Sequence, residues 1–239
     1  MTYWALKVAL TPVLRFFFHV RAEGLGHVPT AGPAILASNH VSFCDSIFLP
    51  LVLRRRVTFV AKAEYFEDAK TAWFFRGCGQ IPIKREGGSA SQRALASATE
   101  VLEGGGLFGI YPEGTRSPDG RLHKGHTGIA RLALATGAPV LPVAMIGTRE
   151  AQPIGQVLPH AFMPVLIRIG APLHFGTRPG RDDPTRLRRI TDEIMFELRE
   201  LSGQDYVDRY AVRKGVIEAT DPARLAPAPP TPEQMAIAG

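Results

Sequence analysis

Short apolar runs bounded by turn-forming residues recur along this chain, and segments with helical periodicity lie between them. Each run is four to seven residues long and mostly apolar, which is typical of buried strands in a parallel sheet. The predicted strands are Ala34–Ala37, Val57–Ala61, Gln80–Ile83, Leu107–Tyr111, Val140–Ile146 and Val165–Ile169. The predicted helices include Ser91–Leu102, Thr127–Ala135 and Leu187–Leu201. This alternation predicts an α/β fold, with a mixed, largely parallel sheet flanked by helices on both faces.

The composition fits one globular domain with an anionic partner. The chain has 239 residues, of which 45% are hydrophobic and 21% charged, and this composition excludes wholesale disorder. Lys and Arg outnumber Asp and Glu by 28 to 22, so the net charge of +6 suits nucleic acid, an anionic lipid surface or a phosphorylated substrate. The two cysteines, Cys44 and Cys78, are too few for a disulfide-stapled domain or a Cys-rich zinc site.

Residues 3–20 form the most hydrophobic stretch, and polar residues recur in it at every fourth position: Lys7, Thr11, Arg15 and His19. A helix would place this stripe along one side, as in a helix that lies in the plane of a membrane interface. The charges fit poorly with a signal peptide or a spanning helix. The alternative is a helix packed on the protein's own core with the stripe in water. The predicted membrane contacts are Trp4, Lys7, Arg15, Phe17 and Phe18.

Three segments are expected along the chain. Residues 1–22 would form the interfacial helical segment, and residues 23–218 would form the α/β domain. Residues 219–239 contain five prolines and several alanines, which predicts a flexible tail.

A histidine and an aspartate, His40 and Asp45, follow the first predicted strand. On a regular helix, residues five apart would point about 140° away from each other, so these two side chains can meet only where the chain turns. There Asp45 would fix the imidazole tautomer, and the free ring nitrogen would take a proton from a substrate hydroxyl. Two alternatives stay open: a helix cap from Asn39 or Asp45 with an incidental histidine, or a Cys44–His40 nucleophile pair.

Two further segments place cations after predicted strands. In residues 111–117, Pro112 and Gly114 predict a tight loop whose backbone N–H groups can face an anion, and Arg116 adds a guanidinium suited to phosphate. Lys124 is a further cation close by in the sequence, and the segment 79–85 ends in Lys84 and Arg85. Taken alone, each segment is better explained as an ordinary surface turn with solvated cations.

The His40–Asp45 segment, the segment 79–85 and the segment 111–117 follow one another along the chain. In these segments and their order, the chain resembles the glycerolipid acyltransferase family, specifically the bacterial 1-acyl-glycerol-3-phosphate acyltransferases. The matching region runs from about Gly24 to Gly147 and includes His40-x4-Asp45 and the Pro-Glu-Gly-Thr-Arg loop. Two departures are visible: Tyr111 stands where the family more often has phenylalanine, and Lys84 stands where an acid is common.

The resemblance implies direct acyl transfer from acyl-CoA or acyl-carrier protein to the free hydroxyl of lysophosphatidic acid, giving phosphatidic acid. His40 would be the general base, and Asp45 would hold it. The implied acceptor-binding residues are Arg85, Glu113, Gly114, Thr115, Arg116 and Lys124, with Arg85 and Arg116 on the phosphate. No metal and no cofactor are implied. The expected location is the cytoplasmic face of the cell membrane, as a peripheral or monotopic protein.

Other functions compete with this one. Within the family, the acceptor could be glycerol-3-phosphate or another lysophospholipid. A thioesterase using Cys44 and His40 would form an acyl-enzyme instead. A nucleic-acid-binding module could use the three consecutive arginines 54–56, and it would bind duplexes with a steep salt dependence. Aspartates interleave the later arginine cluster of residues 178–189, so no nucleic-acid partner is expected.

Overall fold

The computed structural model of this chain describes residues 2–83, 90–156, 158–177 and 183–212. The described strands are β1 (His19–Glu23), β2 (Ala34–Ser38), β3 (Val57–Lys62), β4 (Ile81–Ile83), β5 (Leu107–Ile110), β6 (Leu122–His123), β7 (Val140–Ile146), β8 (Pro164–Ile169) and β9 (Tyr206–Val207). The described α-helices are α1 (Thr2–Phe17), α2 (Asp45–Val52), α3 (Glu64–Glu67), α4 (Ala69–Gly77), α5 (Ala90–Glu103), α6 (Gly128–Thr136), α7 (Thr148–Ala151) and α8 (Pro184–Ser202). The predicted tail and Arg85 lie outside the described residues.

The main sheet of the described chain has the strand order β1-β8-β7-β2-β5-β3-β4. The five strands from β7 to β4 run parallel to one another, β8 runs antiparallel to β7, and β1 runs parallel to β8. The predicted mixed, largely parallel sheet is therefore confirmed. Because β2, β5 and β3 are neighbours and parallel, the loops after them meet at one edge of the sheet.

Apolar side chains pack on both faces of the sheet. Along β2, Ala34 and Leu36 join a cluster that includes Phe48 of α2, whereas Ile35 and Ala37 join a cluster with residues of α5, α6 and α8. All residues of β2 are buried. Burial on both faces explains why this strand is a continuous apolar run rather than an alternating one.

The segment after α1 differs from its prediction. The helix ends at Phe17, and the chain then forms β1, which pairs with β8 at the edge of the sheet. Partly buried and exposed residues alternate along β1. This alternation covers only five residues and directly follows a longer helical pattern, so the sequence pattern assigns it to the helix. The predicted boundary between residues 22 and 23 therefore falls inside a strand.

Two of the predicted membrane contacts face the protein. Phe18 is 4% exposed, and its ring packs at 5.0 Å from that of Phe48. The Lys7 ammonium donates to the carbonyl oxygens of Pro50 and Leu53 at the end of α2. The prediction that Phe18 contacts lipid is therefore wrong, because its ring is buried against α2. Lys7 is only partly buried, and its lipid contact stays a prediction.

Much of the remaining surface of α1 is exposed and mostly apolar. Val8 is 72% exposed and Phe16 71%, and Trp4 and Phe17 are also exposed, as is Arg15 beside them. No helix within the described part of the chain combines the length and apolar content needed to cross a bilayer.

Candidate active site

A cavity of about 370 Å³ lies beside the carboxyl ends of β2, β3 and β5. An apolar part of its wall comes from α1 and α2 and includes Leu6, Leu10, Leu14, Ile47 and Leu51. The polar lining includes His40, Lys62, Tyr111, Thr115 and Arg116. The cavity thus combines an imidazole, cationic side chains and an apolar wall.

The predicted contact between His40 and Asp45 is present. His40 lies two residues beyond β2, and Asp45 is the first residue of α2, so the chain turns between them. The His40 Nδ1 atom lies 2.9 Å from Asp45 Oδ2. A proton on Nδ1 satisfies this contact and leaves Nε2 as the free acceptor at the cavity. The turn therefore prepares the imidazole for general-base chemistry.

The Asp45 carboxylate also shapes the turn. Its Oδ2 atom accepts hydrogen bonds from the backbone N–H groups of Val41 and Ser42, each at 2.9 Å. The side chain is fully buried, whereas that of His40 is 16% exposed. One buried oxygen therefore fixes both the backbone between the two residues and the ring that faces the cavity.

Hydrogen bonds join the His40 turn to the loop that follows β5. The Ser117 N–H donates to the His40 carbonyl at 2.7 Å, and the His40 N–H donates to Glu113 Oε2 at 3.1 Å. The other Glu113 oxygen accepts from the His123 N–H at 2.9 Å. Two motifs that lie far apart in sequence are thus one hydrogen-bonded unit.

Glu113 is 1% exposed, and both of its carboxylate oxygens are used by the chain's own backbone. Burial raises its pKa to about 7, although the two N–H donors lower the pKa and the Asp45 and Asp119 carboxylates add to the rise. Glu113 does not line the cavity. In this structure it holds two loops together, and its predicted contact with an acceptor stays a prediction.

The other predicted acceptor-binding residues divide into two groups. Thr115 and Arg116 line the cavity, and Gly114 is exposed in the tight turn, with a φ of 70°. Lys124 forms an ion pair with Asp208 at 2.8 Å and is not part of the cavity lining. Arg85 lies outside the described residues.

Among the residues of the cavity lining that were not predicted as functional, Lys62 and Tyr111 stand at the ends of strands. Lys62 is the last residue of β3, and Tyr111 directly follows β5. Both could have been found from the rule that functional side chains gather where neighbouring parallel strands end. No carboxylate within the described residues forms an ion pair with Lys62 or Arg116, so both cations are available to an anion.

Cys44 lies in the core. Its Sγ atom donates to Gln152 Oε1 at 3.1 Å, and the residue is 3% exposed. Burial first, and then the neighbouring Asp45, raise the pKa of the thiol to about 11. A protonated thiol turned toward Gln152 is a poor nucleophile for a substrate in the cavity.

In the part of the chain that the structure describes, no three His, Cys, Asp or Glu side chains are grouped so as to hold a metal ion. Metal-free chemistry stays a prediction.

The chain is similar to known acyltransferases. A 1-acyl-sn-glycerol-3-phosphate acyltransferase of Bacillus subtilis is 26% identical over 82% of this chain and 94% of its own length. The chloroplastic 1-acyl-sn-glycerol-3-phosphate acyltransferase LPAT1 of Arabidopsis thaliana is 34% identical over 66% of this chain. The alignment spans only 44% of the Arabidopsis protein.

A solved structure and a family model agree with these relatives. The crystal structure of the 1-acyl-sn-glycerophosphate acyltransferase PlsC from Thermotoga maritima matches with a TM-score of 0.62 and 30% identity, covering 82% of this chain and 77% of that one. The Acyltransferase family model matches residues 19–146, which contain His40, Asp45 and the loop after β5. With more than half of its length matched, this chain belongs to the Acyltransferase family.

Proposed function

We propose that this protein transfers a fatty acyl group from a thioester to the free hydroxyl of 1-acyl-sn-glycerol-3-phosphate, giving phosphatidic acid for phospholipid synthesis. The observation that carries the proposal is the His40–Asp45 pair, whose imidazole lines a cavity that also holds unpaired cations and an apolar wall. The Bacillus, Arabidopsis and Thermotoga relatives are named as acyltransferases of this same acceptor, which supports the proposal.

The dyad supplies the proton transfers of this reaction. His40 Nε2 takes the proton of the acceptor hydroxyl, and the oxygen attacks the thioester carbonyl carbon. The carbonyl electrons move to oxygen and return as the carbon–sulfur bond breaks. The leaving sulfur takes the proton back from the imidazolium, so the products are an ester and a free thiol. Asp45 stabilises the imidazolium while it exists.

The acceptor phosphate is proposed to lie near the cationic side chains of the cavity. Arg116 offers a planar, fork-shaped set of donors that matches phosphate oxygens, and Lys62 adds a second positive charge. Arg85 is kept as a further phosphate ligand on the basis of the sequence motif. The acyl chains would lie along the apolar wall contributed by α1 and α2.

The thioester donor is proposed to be acyl-CoA or acyl-carrier protein, with no cofactor. The outer side of α1 is proposed to lie in the membrane interface on the cytoplasmic face of the cell membrane, which would bring the cavity to its lipid acceptor. Its exposed apolar residues and the adjacent Arg15 support this location. Among the predicted acceptor-binding residues, Lys124 has the least structural support, because its ammonium is paired with Asp208.

The test supplies purified protein with 1-acyl-sn-glycerol-3-phosphate and palmitoyl-CoA, or palmitoyl-carrier protein in a second arm. Thiol release is followed by a colorimetric reagent and the lipid product by mass spectrometry. We expect release that depends on the acceptor and falls roughly 100- to 10,000-fold in His40→Ala, the range that general-base catalysis provides. Parallel assays with glycerol-3-phosphate and lysophosphatidylcholine identify the preferred acceptor.

Cys44→Ala tests the hydrolase alternative. The acyl-transfer proposal expects this variant to keep the activity of the parent, because the thiol points into the core. Thiol release without an acceptor, loss of turnover in Cys44→Ala, and a trapped acyl-enzyme would together support a thioesterase instead.

A further inference from the structure

Three aromatic rings from neighbouring strands lie in a row that ends on the catalytic imidazole. The His40 and Tyr111 rings are nearly parallel, with centroids 3.8 Å apart and planes at 11°. Phe59 of β3 also stacks on Tyr111, at 5.5 Å and 18°. Because β2, β5 and β3 are adjacent, the row follows the order of the strands across the sheet.

The row is built into the sheet. A Cβ atom on Gly109 of β5 would lie 2.2 Å from the Phe59 ring, so only glycine leaves room for that ring beside β5. At the other end, the Tyr111 hydroxyl and Ser46 Oγ share a hydrogen bond of 2.7 Å. Ser46 directly follows Asp45 on α2. The ring that covers His40 is therefore held from behind by Phe59 and at its tip by the helix that carries Asp45.

We propose that Tyr111 is a positioning residue for the general base: its ring, anchored by Ser46 and backed by Phe59, fixes the plane of the His40 imidazole and stabilises the imidazolium that forms during acyl transfer. This inference rests on the proposed function. Asp45 bonds one ring nitrogen and still permits the ring to rotate about that contact, whereas a parallel ring at van der Waals distance restricts this rotation. The electron-rich face of a phenol also attracts a cation.

The phenol itself stays neutral in this position. Burial, with the Asp45 carboxylate as the second cause, raises the pKa of Tyr111 well above its ordinary value, although the Ser46 hydrogen bond lowers it. The charged groups around the ring pair are Asp45 from α2, Glu113 beneath the His40 backbone, and Lys62 and Arg116 in the cavity lining. A neutral tyrosine among them can cover the imidazole without competing for its proton.

Kinetics of four variants test the arrangement. We expect Tyr111→Leu to lower kcat about tenfold, because the cationic ring loses its aromatic partner, and to leave the KM for the lysolipid within about twofold. Tyr111→Phe keeps the ring and should lose only about threefold, as should Ser46→Ala. The Tyr111→Phe/Ser46→Ala double variant should match the single variants, since one hydrogen bond is removed in all three. Wild-type kcat in Tyr111→Leu, or additive losses in the double variant, would overturn the proposal.

A nuclear magnetic resonance signal tests the stack without turnover. In histidine-labelled protein, with His40→Ala used for assignment, the Cε1 proton of His40 should be shielded by the Tyr111 ring. It should move downfield in Tyr111→Leu and stay in place in Tyr111→Phe. Tyr65→Leu is the matched control, because Tyr65 lines the same cavity but stacks on Phe75. An unmoved resonance in Tyr111→Leu would overturn the stack.

The two measurements also separate this inference from the proposed function. A protein that is inactive with every acceptor but shows the expected resonance shift would contradict the function and support the stack. If the enzyme is active but Tyr111→Leu changes neither its kcat nor the His40 resonance, the stack is contradicted and the proposed function is still supported. Thermal unfolding of each variant identifies any loss of kcat that reflects unfolding, and Tyr111→Phe and Ser46→Ala are the mildest changes for that comparison.

Discussion

At the scale of single residues, Glu113 belongs to the Pro-Glu-Gly-Thr-Arg motif but supports the backbone around the cavity without lining it. Its carboxylate lies beneath the His40 turn and accepts N–H donors from His40 and His123. Both donors favour the ionised form, yet burial dominates and raises the pKa to about 7. The residue is therefore close to half protonated near neutral pH, and its charge costs the folded state free energy.

The Glu113→Gln variant should change how stability depends on pH. The folded chain keeps a proton that the unfolded chain releases between pH 4.5 and about 7, so this group's contribution to stability falls as the pH rises through that window. The variant lacks this titration. Relative to the variant, we expect the parent to lose up to about 3 kcal/mol of unfolding free energy across the window.

Chemical denaturation at a series of pH values measures this difference. Glu193→Gln, at an exposed position of α8, corrects for the loss of a charge as such. Parallel pH curves for the parent and Glu113→Gln would show that Glu113 ionises in the fold as freely as in the unfolded chain.

At the scale of elements, the buried strands could be predicted from sequence, and the edge strand could not. All six predicted strands are present, and each end lies within one residue of its predicted position. A strand that is buried on both faces needs apolar residues at successive positions, and such a run is visible in the sequence. The strand β1 has one exposed face and only five residues, so its alternation of exposed and partly buried residues could not be distinguished from the helical pattern of α1. The His40–Asp45 contact could be predicted because the two residues directly follow a predicted strand, where the chain can turn and bring their side chains together.

The direction of side chains around α1 was harder to predict. A period of four residues places Lys7 and Arg15 on one side of a helix, but the period does not say which neighbours that side meets. In the structure Lys7 reaches α2 and Arg15 remains exposed. Likewise, the ends of predicted strands mark Lys62 and Tyr111 as candidates. That they line the same cavity as His40 depends on the order of strands in the sheet, and local patterns do not contain this long-range pairing.

Lys7 fastens α1 to the helix that carries Asp45. Its ammonium binds two carbonyls at the carboxyl end of α2, where the helix dipole favours a cation. We expect Lys7→Met to lower the free energy of unfolding by about 1–3 kcal/mol, because charge-assisted hydrogen bonds to both carbonyls are lost. Limited proteolysis should also cut α1 sooner in this variant.

Arg15→Met provides the matched control, since it removes a positive charge from the exposed side of the same helix. It should change both measurements far less than Lys7→Met. Equal effects of the two substitutions would mean that the positive charge of α1, rather than the contact with α2, determines how firmly the helix is held.

At the scale of the whole molecule, the two faces of the sheet have different surroundings. Leu14 of α1 and Phe18, directly after that helix, pack in the cluster that contains Phe48, whereas α8 packs on the cluster at the opposite face. The exposed apolar side of α1 continues onto Phe162, whose N–H donates to the Phe17 carbonyl. The rings of Phe162 and Phe17 lie 6.1 Å apart. This continuous surface, on a chain with a net charge of +6, is typical of a face that enters an anionic bilayer surface.

Binding to vesicles separates the apolar from the electrostatic contribution. We expect Phe16→Ser to weaken binding to neutral and anionic vesicles alike by about 10- to 100-fold, because a buried phenylalanine contributes roughly 1.5–3 kcal/mol. Arg15→Gln and added salt should weaken binding to anionic vesicles alone, since screening acts on charges. Phe196→Ser, an equally drastic change at an exposed position of α8, should bind like the parent. Co-sedimentation in which Phe16→Ser and Phe196→Ser behave alike would mean that α1 covers the cavity without entering the lipid.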